Sequence, residues 1–357
     1  MLYTINNKEI KGTSSQRICG LDLIRVVAIF FVIAGHFFIL HTAYRSTPLQ
    51  GVSIFLQRMM MSVFHVSVPL FMMLTGYLNI NKTPSKKYYK GMVRVLVAYL
   101  IFSILTILFR AYYSGEEQSF VQWVLAILNY SAIPYAWYIE MWIGLALLTP
   151  FLNYLWNAIP TIREKILLLA LLYLMTALPE TINERVVLLP DYFLAACYPL
   201  LFYFGGSFVH EYQPTIRTSL GVTIILLVAL INPTMSILLL PPNSLDWGLG
   251  GGPGGACCTW IAVAIFLMLY RRDISVKPIK RWVTHCSMVS LEMYLCCWMF
   301  DALYYPWFKE RFFETQAQFL PWFFVIVPLI FFSSYAVASI YNCLCNSMLN
   351  RRWSTNN

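Results

Sequence analysis

Residues 21–36, LDLIRVVAIFFVIAGH, carry three groups able to do chemistry inside an otherwise apolar run: Asp22, Arg25 and His36. A histidine, with an unperturbed pKa of about 6.5, can take a proton from a hydroxyl and return it within one cycle. That suits acyl transfer to a sugar. An arginine keeps its charge and forks onto a phosphate or a carboxylate. Arg25 and His36 are eleven residues apart, three helical turns plus about 20°, so a helix sets them on one face roughly 16 Å apart along its axis. Asp22 lies one turn before Arg25, near the same face. From the residues alone two readings stand. One is a stripe of ionisable groups facing a polar cavity. The other is an interfacial Asp22–Arg25 pair, with His36 bonded to a neighbouring carbonyl.

A second group is basic. Lys87, Lys90 and Arg94 are three and four residues apart, which makes one helical face, and they follow VPLFMMLTGYL (68–78) and a turn through Asn and Pro. Such a face could receive an anionic, phosphate-rich donor, or it could anchor a helix at the inner membrane surface. Other ionisable residues fall within apolar runs. Glu140, one turn after Trp137, is placed to orient His36 or pair with Arg25, or to act as a hydrogen-bonded structural acid. Glu292 has the same ambiguity. His65 reads as a packed histidine, and Arg58 and Arg110 as interfacial residues whose side chains snorkel.

The elements that must hold these groups follow from composition. The 357 residues are 59% hydrophobic and 17% aromatic with only 11% charged, and the mean hydropathy is +0.64. Such a chain cannot cover its own surface with polar groups. Apolar runs of about 20 residues, the length that crosses ~30 Å of hydrocarbon, predict an all-α, polytopic integral membrane bundle. Ten spans are expected, near 21–41, 59–80, 93–113, 136–157, 165–180, 192–210, 218–240, 255–270, 284–304 and 320–346. The short stretch 119–133 reads as an interfacial helix. The domain division is an N-terminal tail (1–20), a membrane domain (21–346) and a C-terminal tail (347–357). With both termini inside, 18 of the 25 Lys and Arg residues fall on the cytoplasmic side and 6 outside, Arg25 lying within the first span. That asymmetry supports cytoplasmic termini.

The net charge of +9 is distributed in short clusters between apolar runs, which is a topological pattern and not a nucleic-acid patch. The nine cysteines lack the double C-x-x-C spacing of a zinc site, so no metal is expected. The glycine-rich stretch at 241–255 has neither the lysine nor the strand-to-helix setting of a P-loop and reads as a flexible loop. No dinucleotide fingerprint, H-E-x-x-H, G-x-S-x-G or Walker motif occurs.

The D-x-x-R-x(10)-H pattern of Asp22, Arg25 and His36, the VPLFMMLTGYL span with its basic loop, WYIEMWIGLALLTPFL at 137–152 and YPLLFYFGG at 198–206 come in one order along the chain. Together they resemble the acyltransferase-3 family of integral membrane O-acyltransferases, in particular its small surface-polysaccharide members without a soluble domain. The resemblance implies a bundle in the bacterial cytoplasmic (inner) membrane. It implies transfer of an acyl group, usually acetyl, from cytosolic acyl-CoA to a hydroxyl of a glycan or its lipid-linked precursor, with no bound cofactor. It assigns the essential role to His36, support to Arg25, and donor contact to the basic segment, carried here by Lys87, Lys90 and Arg94. Two positions depart from the family pattern: Tyr135 and Cys297 stand where histidines are frequent. Tyr135 can still donate a hydrogen bond to a carbonyl or sugar oxygen. The expected partners are acyl-CoA, a glycan acceptor and lipid. A transporter using the same intramembrane charges is the alternative, for which an inverted repeat would speak; no internal symmetry is evident. A catalytically lapsed scaffold is a third reading, against which the retention of Asp22, Arg25 and His36 counts.

Overall fold

The computed structural model describes residues 17–38, 52–183, 188–189, 195–239 and 251–354, and no strand occurs among them. The first helix, α1 (Cys19–His36), is followed by α2 (Val52–Phe64) and α3 (Ser67–Asn79), which are separated by a break at His65 and Val66. Ser85 caps α4 (Lys86–Tyr113), accepting from the Tyr88 amide. A Ser119/Gln122 capping box starts α5 (Phe120–Leu128). No residue of α5 is buried, in keeping with the expected interfacial element. Then come α6 (Trp137–Ala158), α7 (Ile162–Leu172, opened by a Thr161/Glu164 capping box) and the short α8 (Pro179–Ile182). The chain continues through α9 (Tyr198–Tyr212), α10 (Thr218–Leu239), α11 (Ala256–Leu269), α12 (Lys277–Met288), α13 (Ser290–Phe312), α14 (Gln316–Phe319) and α15 (Phe323–Ser354).

Seven helical segments are long and apolar enough to cross a membrane, and an eighth forms if α12 and α13, bent by 74°, are taken as one broken span. Ten were expected. The difference has a length basis: α9 has 15 residues and α11 has 14, both short of the ~20 a full crossing needs. The expected span at 284–304 is interrupted at Val289, where α12 turns into α13. The start of the span expected at 192–210 and most of the 241–255 loop lie outside the described residues, as does most of the N-terminal tail. At the other end α15 remains helical through Ser354, past the expected start of the C-terminal tail.

Central to the bundle is α1, packed against α2, α3, α11, α12, α13 and α15, with Ile24, Ala28, Ile29, Ile33 and Ala34 fully enclosed. Close approach of helices depends on glycine. A methyl on Gly76 of α3 would drive into the Tyr203 carbonyl of α9, and one on Gly206 of α9 into the Met73 carbonyl of α3. Without hydrophobic force between helices in lipid, small residues that let backbones touch are a main source of packing energy. The T-G-Y and F-Y-F-G-G motifs are therefore the two halves of one helix crossing.

Candidate active site

His36 ends α1 in the interior of the bundle. Its Nδ1 stands 3.6 Å from Oδ2 of Asp301, a carboxylate from α13 that is fully buried. The same oxygen accepts the Tyr135 hydroxyl at 2.6 Å, and the Tyr135 ring lies against the imidazole with centroids 3.8 Å apart. Tyr135 is itself held by the Tyr294 hydroxyl, which donates to its carbonyl. On α13 the residues Tyr294, Cys297, Asp301 and Tyr305 recur every three or four positions, so one helix face delivers them all to His36 and Tyr135. Cys297 is buried and turns its thiol to the Tyr294 carbonyl. At 3.6 Å the Asp301 carboxylate faces the imidazole Nδ1 at ion-pair distance without hydrogen-bonding to it.

Arg25 and Asp22 play unequal parts. Asp22 is buried and held bidentately by Arg17, at 2.6 and 2.8 Å, and it accepts the Ser287 hydroxyl of α12 at 2.6 Å. The hydrogen bond to Asp22 raises the Arg17 guanidinium above its ordinary pKa. Arg25 donates to Ser287 at 3.1 Å and stands 3.9 Å from Asp22. Asp22 thus lies behind Arg25, which alone of the two lines the central cavity.

That cavity, about 720 Å³, is bounded by α1, α3, α4, α6 and α13 and holds Arg25, His36, His65, Tyr135, Tyr138 and Tyr294 on its wall. A second cavity of about 430 Å³ carries Asn81, Lys82, Ser85, Lys87 and Tyr88. Four residues, Thr75, Asn79, Val95 and Trp142, line both. The two spaces adjoin, one lined by Lys87 and the other by His36, which marks a candidate route beside α3.

Of the expected donor contacts, Lys87 lines this route. Lys90 and Arg94 are exposed and line neither cavity. Glu292 is buried on α13 beside the cavity-lining Ser290 and Leu291. Glu140 is exposed and makes no hydrogen bond or ion pair among the described residues; the carboxylate beside His36 is Asp301. His65 is buried on the cavity wall, with Nδ1 2.8 Å from the Gly251 carbonyl. Beside it, Glu180 accepts the Gly252 amide at 2.8 Å. Sequence reasoning missed Asp301. The available signal was an acid inside an apolar run, one turn after Cys297, where burial demands a partner.

A family model described as an acyltransferase domain matches residues 19–339. Neither the search of curated proteins nor that of solved structures returns a match. The matched segment contains α1 with its arginine and histidine, the α3–α9 crossing and the α13 face that carries Asp301, so the fold, the cavity and the family model cover the same residues. This chain, a multi-pass helical membrane protein, belongs to the acyltransferase-3 family.

Proposed function

We propose that the protein transfers an acyl group, acetyl in the simplest case, from cytosolic acyl-CoA to a hydroxyl of a cell-surface glycan or its lipid-linked precursor in the bacterial cytoplasmic membrane. The observation that carries the reading is the pair of adjoining cavities, which share Thr75, Asn79, Val95 and Trp142 and lead from Lys87 to His36. In this reading both termini are cytoplasmic and the phosphates of the donor rest at Lys82 and Lys87. The pantetheine arm lies along α3, and Arg25 contributes fixed positive charge to the route. The acceptor hydroxyl gives its proton to His36 Nε2 as its oxygen attacks the thioester carbonyl. The C–S bond then breaks and the CoA sulfur takes the proton back. Asp301 holds the imidazole and offsets the positive charge it acquires, as a carboxylate does for a catalytic histidine elsewhere.

The test is release of free CoA from acetyl-CoA by membranes containing the protein, with and without extracted glycan lipid, compared with His36→Ala. Glycan-dependent release that disappears in the variant supports the reading. Absence of release from the folded wild type across several acyl-CoA donors and glycans overturns it.

A further inference from the structure

Resting on the donor reading above, we infer that Asn153 of α6 is a positioning residue that shapes the phosphate-bearing mouth without touching the donor. Asn153 is buried in the second half of α6. Its Nδ2 donates to the carbonyls of Asn79 and Lys82, both at 2.7 Å. Its Oδ1 accepts the Tyr203 hydroxyl at 2.6 Å. The amide orientation is forced, because carbonyl oxygens only accept and the opposite flip would face two of them with a third acceptor. Both Nδ2 hydrogens are therefore spent on one turn, and Oδ1 on α9.

That turn is the rim of the Lys87 cavity. Asn79, Asn81, Lys82, Thr83 and Ser85 all line it, and Ser85 is also the N-cap of the helix that presents Lys87. The last carbonyls of a helix lack intrahelical partners. At the end of α3 the amide of Lys82 returns to the Asn79 carbonyl at 2.9 Å, and Asn153 donates to that same oxygen and to the Lys82 carbonyl. The other support comes from the α3–α9 crossing. Tyr203, whose carbonyl abuts Gly76, reaches across to fix Asn153. Three helices thus converge on a five-residue rim, and Asn153 is where they are joined.

The experiment uses the full chain in lipid nanodiscs, with CoA as the probe in calorimetry and acyl-CoA in steady-state assays. Asn153→Ala and Asn153→Asp are expected to weaken CoA binding on the order of tenfold, the scale of two lost hydrogen bonds at a buried turn, and to raise KM for acyl-CoA with kcat little changed. Tyr203→Phe keeps both carbonyl bonds and is expected to weaken CoA binding less. Because Asn153 acts through the rim, the losses in Asn153→Ala and Lys87→Gln should be less than additive in the double variant. Wild-type CoA affinity in Tyr203→Phe together with a folded Asn153→Ala, or full additivity with Lys87→Gln, overturns the assignment. If Asn153→Ala fails to fold, Tyr203→Phe with unchanged CoA affinity overturns it by itself. A wild type that binds no CoA at all overturns the donor reading first, and this assignment with it.

Discussion

Asp301 Oδ2 stands 3.6 Å from His36 Nδ1 while accepting the Tyr135 hydroxyl at 2.6 Å. One carboxylate thus stands beside two rings that are in contact and tilted by 37°, and all three groups come from different parts of the chain. Asp301→Asn keeps the shape of the site but removes the carboxylate that faces His36. A fall in kcat of about 10²-fold or more is expected, the scale of general acid–base assistance. Glycan-dependent CoA release measures it, with thermal unfolding in detergent as the control for folding.

Tyr135→Phe removes one hydrogen bond to Asp301 and leaves the stacking on His36. The expected loss is smaller, about tenfold or less in kcat. A loss as large as that of Asp301→Asn would mean that the hydroxyl itself touches the reacting atoms. Parallel kcat measurements on the two variants decide this.

Among the basic residues, only those on the cavity wall should affect the donor. Lys87→Gln is expected to raise KM for acyl-CoA about tenfold, the size of a lost charge-assisted hydrogen bond. Lys90→Gln should change KM by less than about twofold, as expected for an exposed charge. Equal effects at the two positions would show that the whole helix face, and not the cavity, attracts the donor.

Val95 lines both cavities at their junction. Val95→Trp should obstruct the route and lower kcat/KM for acyl-CoA by at least about tenfold, since small displacements of a reactant carry costs of that order or more. Trapping of CoA in the outer cavity, seen as retained binding without turnover, is the accompanying result.

Gly76→Ala and Gly206→Ala each place a methyl against a facing carbonyl, and overpacking of this kind costs ~1–3 kcal/mol. Both should lower the unfolding temperature. Gly144→Ala, where a methyl meets open space, should leave it unchanged or raise it. Differential scanning fluorimetry on the three variants separates the cases.

The chemistry of α1 was legible because its three polar residues interrupt an apolar run at helical spacing. The contacts of Asp22 were not: Arg17 and Ser287 lie five and 265 residues away. Asp301 was hidden for the same reason, since its partner His36 belongs to another helix and a single acid carries no periodic pattern. The Lys87, Lys90 and Arg94 face was correctly spaced for a helix, but rotation about the helix axis depends on packing, and packing turns only Lys87 toward the cavity. Seven or eight of the ten expected spans have a helix long enough to cross among the described residues; α9 and α11 are shorter. α9 and α11 read as crossings from hydropathy, which reports composition over a window and not where a helix begins.

The 14-residue α11 has a further consequence. It is only about 21 Å long, and it ends level with the start of α1, where a methyl on Gly20 would meet the carbonyls of Leu269 and Tyr270. Its other end starts from the turn at 251–255, whose Gly251 carbonyl meets His65 and whose Pro253 lines the cavity that also holds His36. Irregular backbone at membrane depth is sustained only inside protein or beside a cavity. At Pro253, therefore, folded backbone and not a membrane-crossing helix forms the wall of the His36 cavity.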